Sequence, residues 1–223
     1  MKRRFLILNA VLAVFTLVCC VFYGQMGSVL LKGLTCSGFV SMGFVNLLCC
    51  IRMRCFRLKF PVLMALGLLI CMAGDVTLDL HFLPGALIFA VGHVFYFAAY
   101  CCLEKFRITD LFPALTIFLG SAALILLTPL FDFGSALMKG VCLLYALIIS
   151  CMLGKASANY YRAQSLVTGL LQLGSILFFF SDFMLCLNIF ADAPHITNIL
   201  CLYTYFPGQC ILAHSLFHYG NSR

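Results

Sequence analysis

Apolar residues run almost unbroken between short clusters of charge and turn residues, and they do so eight times. A hydrocarbon core about 30 Å thick needs about 20 apolar residues per helix. The runs at 5–23, 28–51, 60–80, 84–103, 111–130, 135–153, 164–187 and 198–218 have about that length. The pattern therefore predicts an all-α integral membrane protein with eight transmembrane helices. The connections are short and carry turn chemistry, as in Tyr23-Gly24-Gln25, Leu83-Pro84-Gly85 and Asp132-Phe133-Gly134. Nothing reads as a linker or a soluble domain, so residues 1–223 are taken as a single membrane domain.

Two acids break this pattern where loops do not explain them. Asp75 sits in MAGDVTLDL and Asp182 in FFSDFMLCL, both inside apolar runs. A carboxylate in hydrocarbon is costly, and by default it marks a functional site or a pairing partner. The two are related. Lys139-Gly140 follows Lys32-Gly33 by 107 residues (139 − 32), and Asp182 follows Asp75 by the same 107 (182 − 75). That offset lays the first span on the fifth, which makes the first span part of a repeat unit and not a cleaved signal peptide. Later the halves slip. Gly92-His93 matches Gly208-Gln209 only if the second half gains residues, which fall in the loop at 188–197. The chain reads as two parallel four-helix repeats, approximately 1–107 and 108–223. Units with an even number of spans face the same way, related by a pseudo-twofold axis along the membrane normal.

Composition sharpens the class. Hydrophobic residues make up 64% and charged residues 9%, against about 45–50% and 25% in soluble domains. The net charge of +7 does not imply nucleic acid, because the basic residues lie between apolar runs, where they orient the chain. With the N-terminus inside, Lys2, Arg3, Arg4, Arg52, Arg54, Arg57, Lys59, Lys105, Arg107, Lys155, Arg162 and Arg223 lie on the inner side, leaving Lys32 and Lys139 for the outer half. Both termini are expected in the cytoplasm. In the absence of a retrieval signal, a bacterial cell membrane is favoured over the endoplasmic reticulum. The 14 Cys form no CxxC and no zinc-ligand spacing, and they act as small hydrophobes.

Candidate chemistry collects in one layer. At about 1.5 Å rise per residue, Lys32, Asp75, Lys139 and Asp182 fall at similar depth in the outer half of the spans. Asp79 lies one turn from Asp75 on the same face. His93 is somewhat deeper, followed by Tyr96 and Tyr100. One reading is a structural ion-pair cluster. The other is a polar cavity with two facing carboxylates, one protonated and one ionised, as acid–base chemistry needs. An oxygen-rich metal site of Asp75, Asp79, His93 and Asp182 is a further alternative, although no metal or other cofactor is expected. His81, His195, His214 and His218 fall at span ends or in loops. Gln172, Asn188 and Gln209 are further candidates to line a cavity. No Ser-His-Asp set, phosphate-binding Gly-rich loop or HExxH is present.

These residues also match a known pattern. Gly74-Asp75-Val76-Thr77-Leu78 with Phe89, Gly92-His93 and Tyr96 resembles the signature of the YhhN-type lysoplasmalogenase family. Ala163-Gln164 ahead of Gly174-Ser175 and Ser181-Asp182-Phe183 does too, as does the last span with Tyr203, Gln209, Ala213 and Ser215. One departure is Gly33, since the family's lysine is often followed by proline. The resemblance implies an eight-helix membrane hydrolase that cleaves the vinyl ether of lysoplasmalogens into a fatty aldehyde and a glycerophospho-base. It implies a lysophospholipid substrate met in the lipid bilayer, with catalytic Asp75 and Asp182. Lys32 or Lys139 would hold the phosphate, and His93 or Tyr96 would orient the water or the head group. A transporter of a small anion or lipid, or a non-catalytic lipid-binding protein, would also use a charged central layer.

Overall fold

The computed structural model describes residues 2–55 and 57–221. Arg223, counted above among the inner basic residues, lies outside the described residues. Eight α-helices follow one another: α1 Lys2–Met26, α2 Val29–Arg52, α3 Lys59–Leu80, α4 Phe82–Leu103, α5 Leu111–Leu127, α6 Ala136–Ala163, α7 Leu166–Phe190 and α8 Ile196–Asn221. A 3-10 turn, Ile108–Asp110, leads into α5. No strand occurs among the described residues.

Seven of these helices, α1 to α7, are long and apolar enough to cross a membrane, with the 3-10 turn counted into the fifth. The chain is a multi-pass membrane protein. The exception is α8, which is 26 residues long but carries Thr197, Asn198, Gln209, His214, Ser215 and His218. It packs against α1, α2, α3 and α7. Most of its residues from Cys201 onward are buried or half-buried against those helices, so polar side chains find protein partners there.

Several boundaries differ from the sequence pattern. The sixth span runs to Ala163, not to 153, because Lys155 is not a loop residue. It is buried, donating to Asp110 Oδ2 at 2.7 Å and to the Lys105 carbonyl at 3.2 Å. Arg162 adds a 2.5 Å bond to Asp110 Oδ1. The helix stops at Gln164, whose φ of 42° is left-handed. Gly24 lies inside α1, and the turn falls at Gly27 with φ 63°. Pro84 and Gly85 lie in the first turn of α4, where proline's missing N–H costs nothing. Asp132-Phe133-Gly134 is the turn expected, with Gly134 at φ 65°.

Within each half, consecutive helices pack: α1 on α2, α2 on α3, α3 on α4, then α5 on α6, α6 on α7, α7 on α8. The halves join mainly through α2 against α8 and α4 against α6. Small residues set the two most extensive crossings, α3 on α4 and α7 on α8. A Cβ on Gly67 of α3 would lie 2.6 Å from the Tyr96 ring, and one on Gly92 of α4 would lie 2.6 Å from Cys71 Sγ. At the α7–α8 crossing, a Cβ on Gly174 would meet Leu212 at 2.7 Å, and one on Gly208 would meet Leu177 at 3.2 Å. Phe39, Tyr96, Tyr100, Phe178 and Phe206 fill the centre. At the basic end, Asn9 and Asn46 exchange amide bonds of 2.8 and 2.7 Å, and Asn46 also donates to the Ala213 carbonyl.

Candidate active site

The opposite end of the bundle holds a cavity of about 450 Å³. It lies where α1, α3, α5 and α7 end and α2, α4, α6 and α8 begin. Lys32, Asp75, Asp79 and Asp182 line it, together with Tyr23, Tyr145 and Tyr205. The remaining wall is mostly apolar, including Phe89, Phe179 and Leu202.

Asp75 lies in the last two turns of α3 and is 3% exposed. Its Oδ2 accepts from Tyr205 Oη of α8 at 2.5 Å and from Cys36 Sγ of α2 at 3.2 Å. Its Oδ1 stands 3.8 Å from Lys32 Nζ. Lys32 in turn donates to Asp79 Oδ1 at 2.6 Å, and Tyr23 donates to Asp79 Oδ2 at 3.0 Å. Lys32 is buried, held between two carboxylates.

Asp182 of α7 has different company. Tyr145 Oη of α6 donates to its Oδ2 at 2.5 Å. His93 Nε2 of α4 lies 3.8 Å from the same oxygen, too far for a direct hydrogen bond. His93 is fully buried, and its Nδ1 bonds the Phe89 carbonyl at 2.7 Å. A carbonyl only accepts, so Nδ1 carries a proton and donates it there, leaving Nε2 to face Asp182. That Nε2 has no hydrogen-bond partner among the described residues. Among the described residues, no Lys or Arg ion pair reaches Asp182.

The two acids thus have matching scaffolds and unequal partners. Asp75 takes side chains from the second helix of its own half and the last helix of the other. Asp182 takes Tyr145 from the second helix of its own half and faces His93 on the last helix of the other. Asp75 has a lysine beside it, and Asp182 has a histidine in its place.

The layer read from the sequence is brought together only in part. Asp75, Asp79, Asp182 and Lys32 share the cavity. Lys139, in the first turn of α6, is half-buried, does not line it and has no salt-bridge partner among the described residues. Tyr96 lies below the cavity and donates to Gln209 Oε1 at 2.8 Å. Tyr100 pairs with Ser175 at 2.9 Å. Gln209 is fully buried and reaches the site through Tyr205, while Asn188 lines the cavity wall. Asp75, Asp79, His93 and Asp182 do not converge as a metal-ligand set; no group of three or more His, Cys, Asp or Glu among the described residues does. Sequence reading missed Tyr23, Cys36, Tyr145 and Tyr205. The available signal was a phenol inside an apolar span, which needs a partner once buried.

No curated protein and no solved structure matches the chain. The model of the YhhN family matches residues 38–216, from the middle of α2 to the last turns of α8 and across both aspartates and their tyrosines, and the chain belongs to that family.

Proposed function

We propose that the protein is a lysoplasmalogenase-like hydrolase that cleaves the vinyl ether of a lysophospholipid by carboxylate acid–base catalysis. The observation that carries this reading is one apolar-walled cavity lined by three carboxylates, of which Asp75 and Asp182 have unequal charge partners. Asp182, with a histidine in place of the lysine, is the acid that delivers a proton to the alkenyl carbon. The cation that forms is shared between the adjacent carbon and the ether oxygen. Asp75, held as an anion by Lys32 and two hydrogen-bond donors, stabilises it. Water then adds, and its proton returns to Asp182. The hemiacetal collapses to a fatty aldehyde and the glycerol hydroxyl.

Lys32 is the one cation lining the cavity among the described residues, and Asp79 lies beside it. Phosphate and ammonium of a zwitterionic head group suit that pair, while the alkenyl chain follows the apolar wall toward lipid. The two-unit reading is supported by the Gly67–Gly92 and Gly174–Gly208 crossings, since Gly174 follows Gly67 by the same 107 residues (174 − 67). With eight spans and the basic end in the cytoplasm, the cavity opens to the outer leaflet. Transport needs a path to the other face, yet Phe39, Met42, Tyr96 and Tyr100 are fully buried below the cavity.

The test is aldehyde release from a lysoplasmalogen by purified wild type, Asp75→Asn and Asp182→Asn. Wild type releases aldehyde, and each variant loses at least about a hundredfold in kcat, as general acid–base groups contribute about 10²–10⁴. Folded variants with full turnover would end the proposal. Intact lysoplasmalogen, with a solute moved across liposomes, would favour a transporter.

A further inference from the structure

A buried chain of hydrogen bonds runs from α4 to Asp75 and has one direction. Tyr96 Oη donates to Gln209 Oε1 at 2.8 Å, Gln209 Nε2 donates to Tyr205 Oη at 3.1 Å, and Tyr205 Oη donates to Asp75 Oδ2 at 2.5 Å. Tyr96 and Gln209 are fully buried, and neither touches the cavity. The direction follows from inventory. An ionised carboxylate accepts only, so a phenol oxygen 2.5 Å away must spend its one proton on it. Tyr205 can then only accept from Gln209, which must present its NH₂. The amide oxygen is left facing Tyr96, which must donate.

We infer that Gln209 and Tyr96 are positioning residues for the proposed hydrolysis: they fix Tyr205 as a donor and so keep Asp75 an ionised acceptor. The inference rests on Asp75 acting in that reaction. A reversed chain, with Tyr205 donating to residue 209, would put two acceptor oxygens face to face unless Asp75 took up a proton. In that state Asp75 no longer stabilises a developing cation. The sequence difference needed to reverse it is a single amide nitrogen.

Gln209→Glu is therefore the informative substitution. It keeps shape and accepts from both tyrosines, drawing the Tyr205 proton away from Asp75. Expected is a fall in kcat of about tenfold or more, typical of lost supporting contacts, with KM within about twofold. On a Tyr205→Phe background the same substitution adds less than about twofold, because the chain is already cut. Tyr96→Phe, a smaller change, frees the amide to turn over and gives a weaker effect in the same direction.

A second readout needs no substrate. The carboxylate infrared band of Asp75, identified by its loss in Asp75→Asn, shifts in Tyr205→Phe and Gln209→Glu, and less in Tyr96→Phe. If wild type hydrolyses no lysoplasmalogen but these shifts appear, the chain stands and the proposed reaction falls. If the band is the same in wild type and Gln209→Glu, or if Gln209→Glu costs as much with Phe at position 205 as with Tyr, the inference is overturned.

Discussion

Lys32→Met removes the only cation lining the cavity among the described residues while keeping the length of the side chain. The structure sets the size of the loss. Lys32 Nζ stands 2.6 Å from Asp79 and 3.8 Å from Asp75, with 7% of its side chain exposed. At an effective dielectric of about 20, those separations correspond to gross attractions of roughly 6 and 4 kcal/mol. The desolvation of three ions offsets most of this. Removing one member of a buried pair costs about 3–5 kcal/mol, largely because the remaining charge is stranded. The Asp79 side chain is 17% exposed and keeps some contact with water, which favours the lower figure. Lys32→Met should therefore destabilise by about 3 kcal/mol in reversible unfolding from mixed detergent micelles. Asp79→Asn alone leaves Lys32 with Asp75 and costs less. The double variant removes one charge of each sign and should be more stable than Lys32→Met by about 1 kcal/mol or more, a coupling within the range for residues in contact. A loss under about 1 kcal/mol for Lys32→Met, or single-variant losses that simply add, would refute the ion-pair account of this site.

Two further outcomes concern the scaffold. Asp110→Asn leaves Lys155 and Arg162 close together without an acid and should cost about 3–5 kcal/mol in the same unfolding assay, with kcat of the folded fraction unchanged because the cluster lies at the other end of the bundle. Gly154→Ala sets a Cβ 2.6 Å from the Ala114 backbone of α5, which cannot swing aside, and should cost about 1–3 kcal/mol, whereas Gly140→Ala meets nothing within 4 Å and should leave the melting temperature unchanged or slightly raised.

Hydropathy located the helices because each must satisfy its own backbone in lipid, so long apolar runs have few alternatives. It failed at α6 because Lys155 was read as a boundary. A lysine marks a helix end only if it seeks water, and this one is held by Asp110 and a carbonyl from the connection between α4 and α5. The charged layer was legible since acids and lysines are rare in spans, and their spacing gave depth. It could not show which partners meet. Lys32 and Lys139 occupy equivalent sequence positions, yet only Lys32 faces carboxylates, a difference set by helix rotation and neighbours. The tyrosines beside each aspartate were hidden among nine in the chain, since a phenol is common in apolar cores and depth alone does not reveal its partner. Aspartates that look equivalent in sequence are distinguished by what the adjoining helices bring.

The central, polar character of α8 bears on how the protein is made. A helix of reduced hydropathy enters lipid unwillingly and is held by its neighbours, and α8 touches α1, α2, α3 and α7. In chain order it leaves the ribosome after all four of them. Those neighbours are in place before it arrives, and a slot must stay open among them until then. Asp75 and Lys32 are synthesised early, but Tyr205 and Gln209 come with α8. A nascent chain lacking α8 therefore has Asp75 without its Tyr205 donor, while Asp182 already has Tyr145 of α6. Packing of α8 therefore completes the hydrogen bonding of Asp75, and until then that acid is left with Lys32 and Cys36 alone.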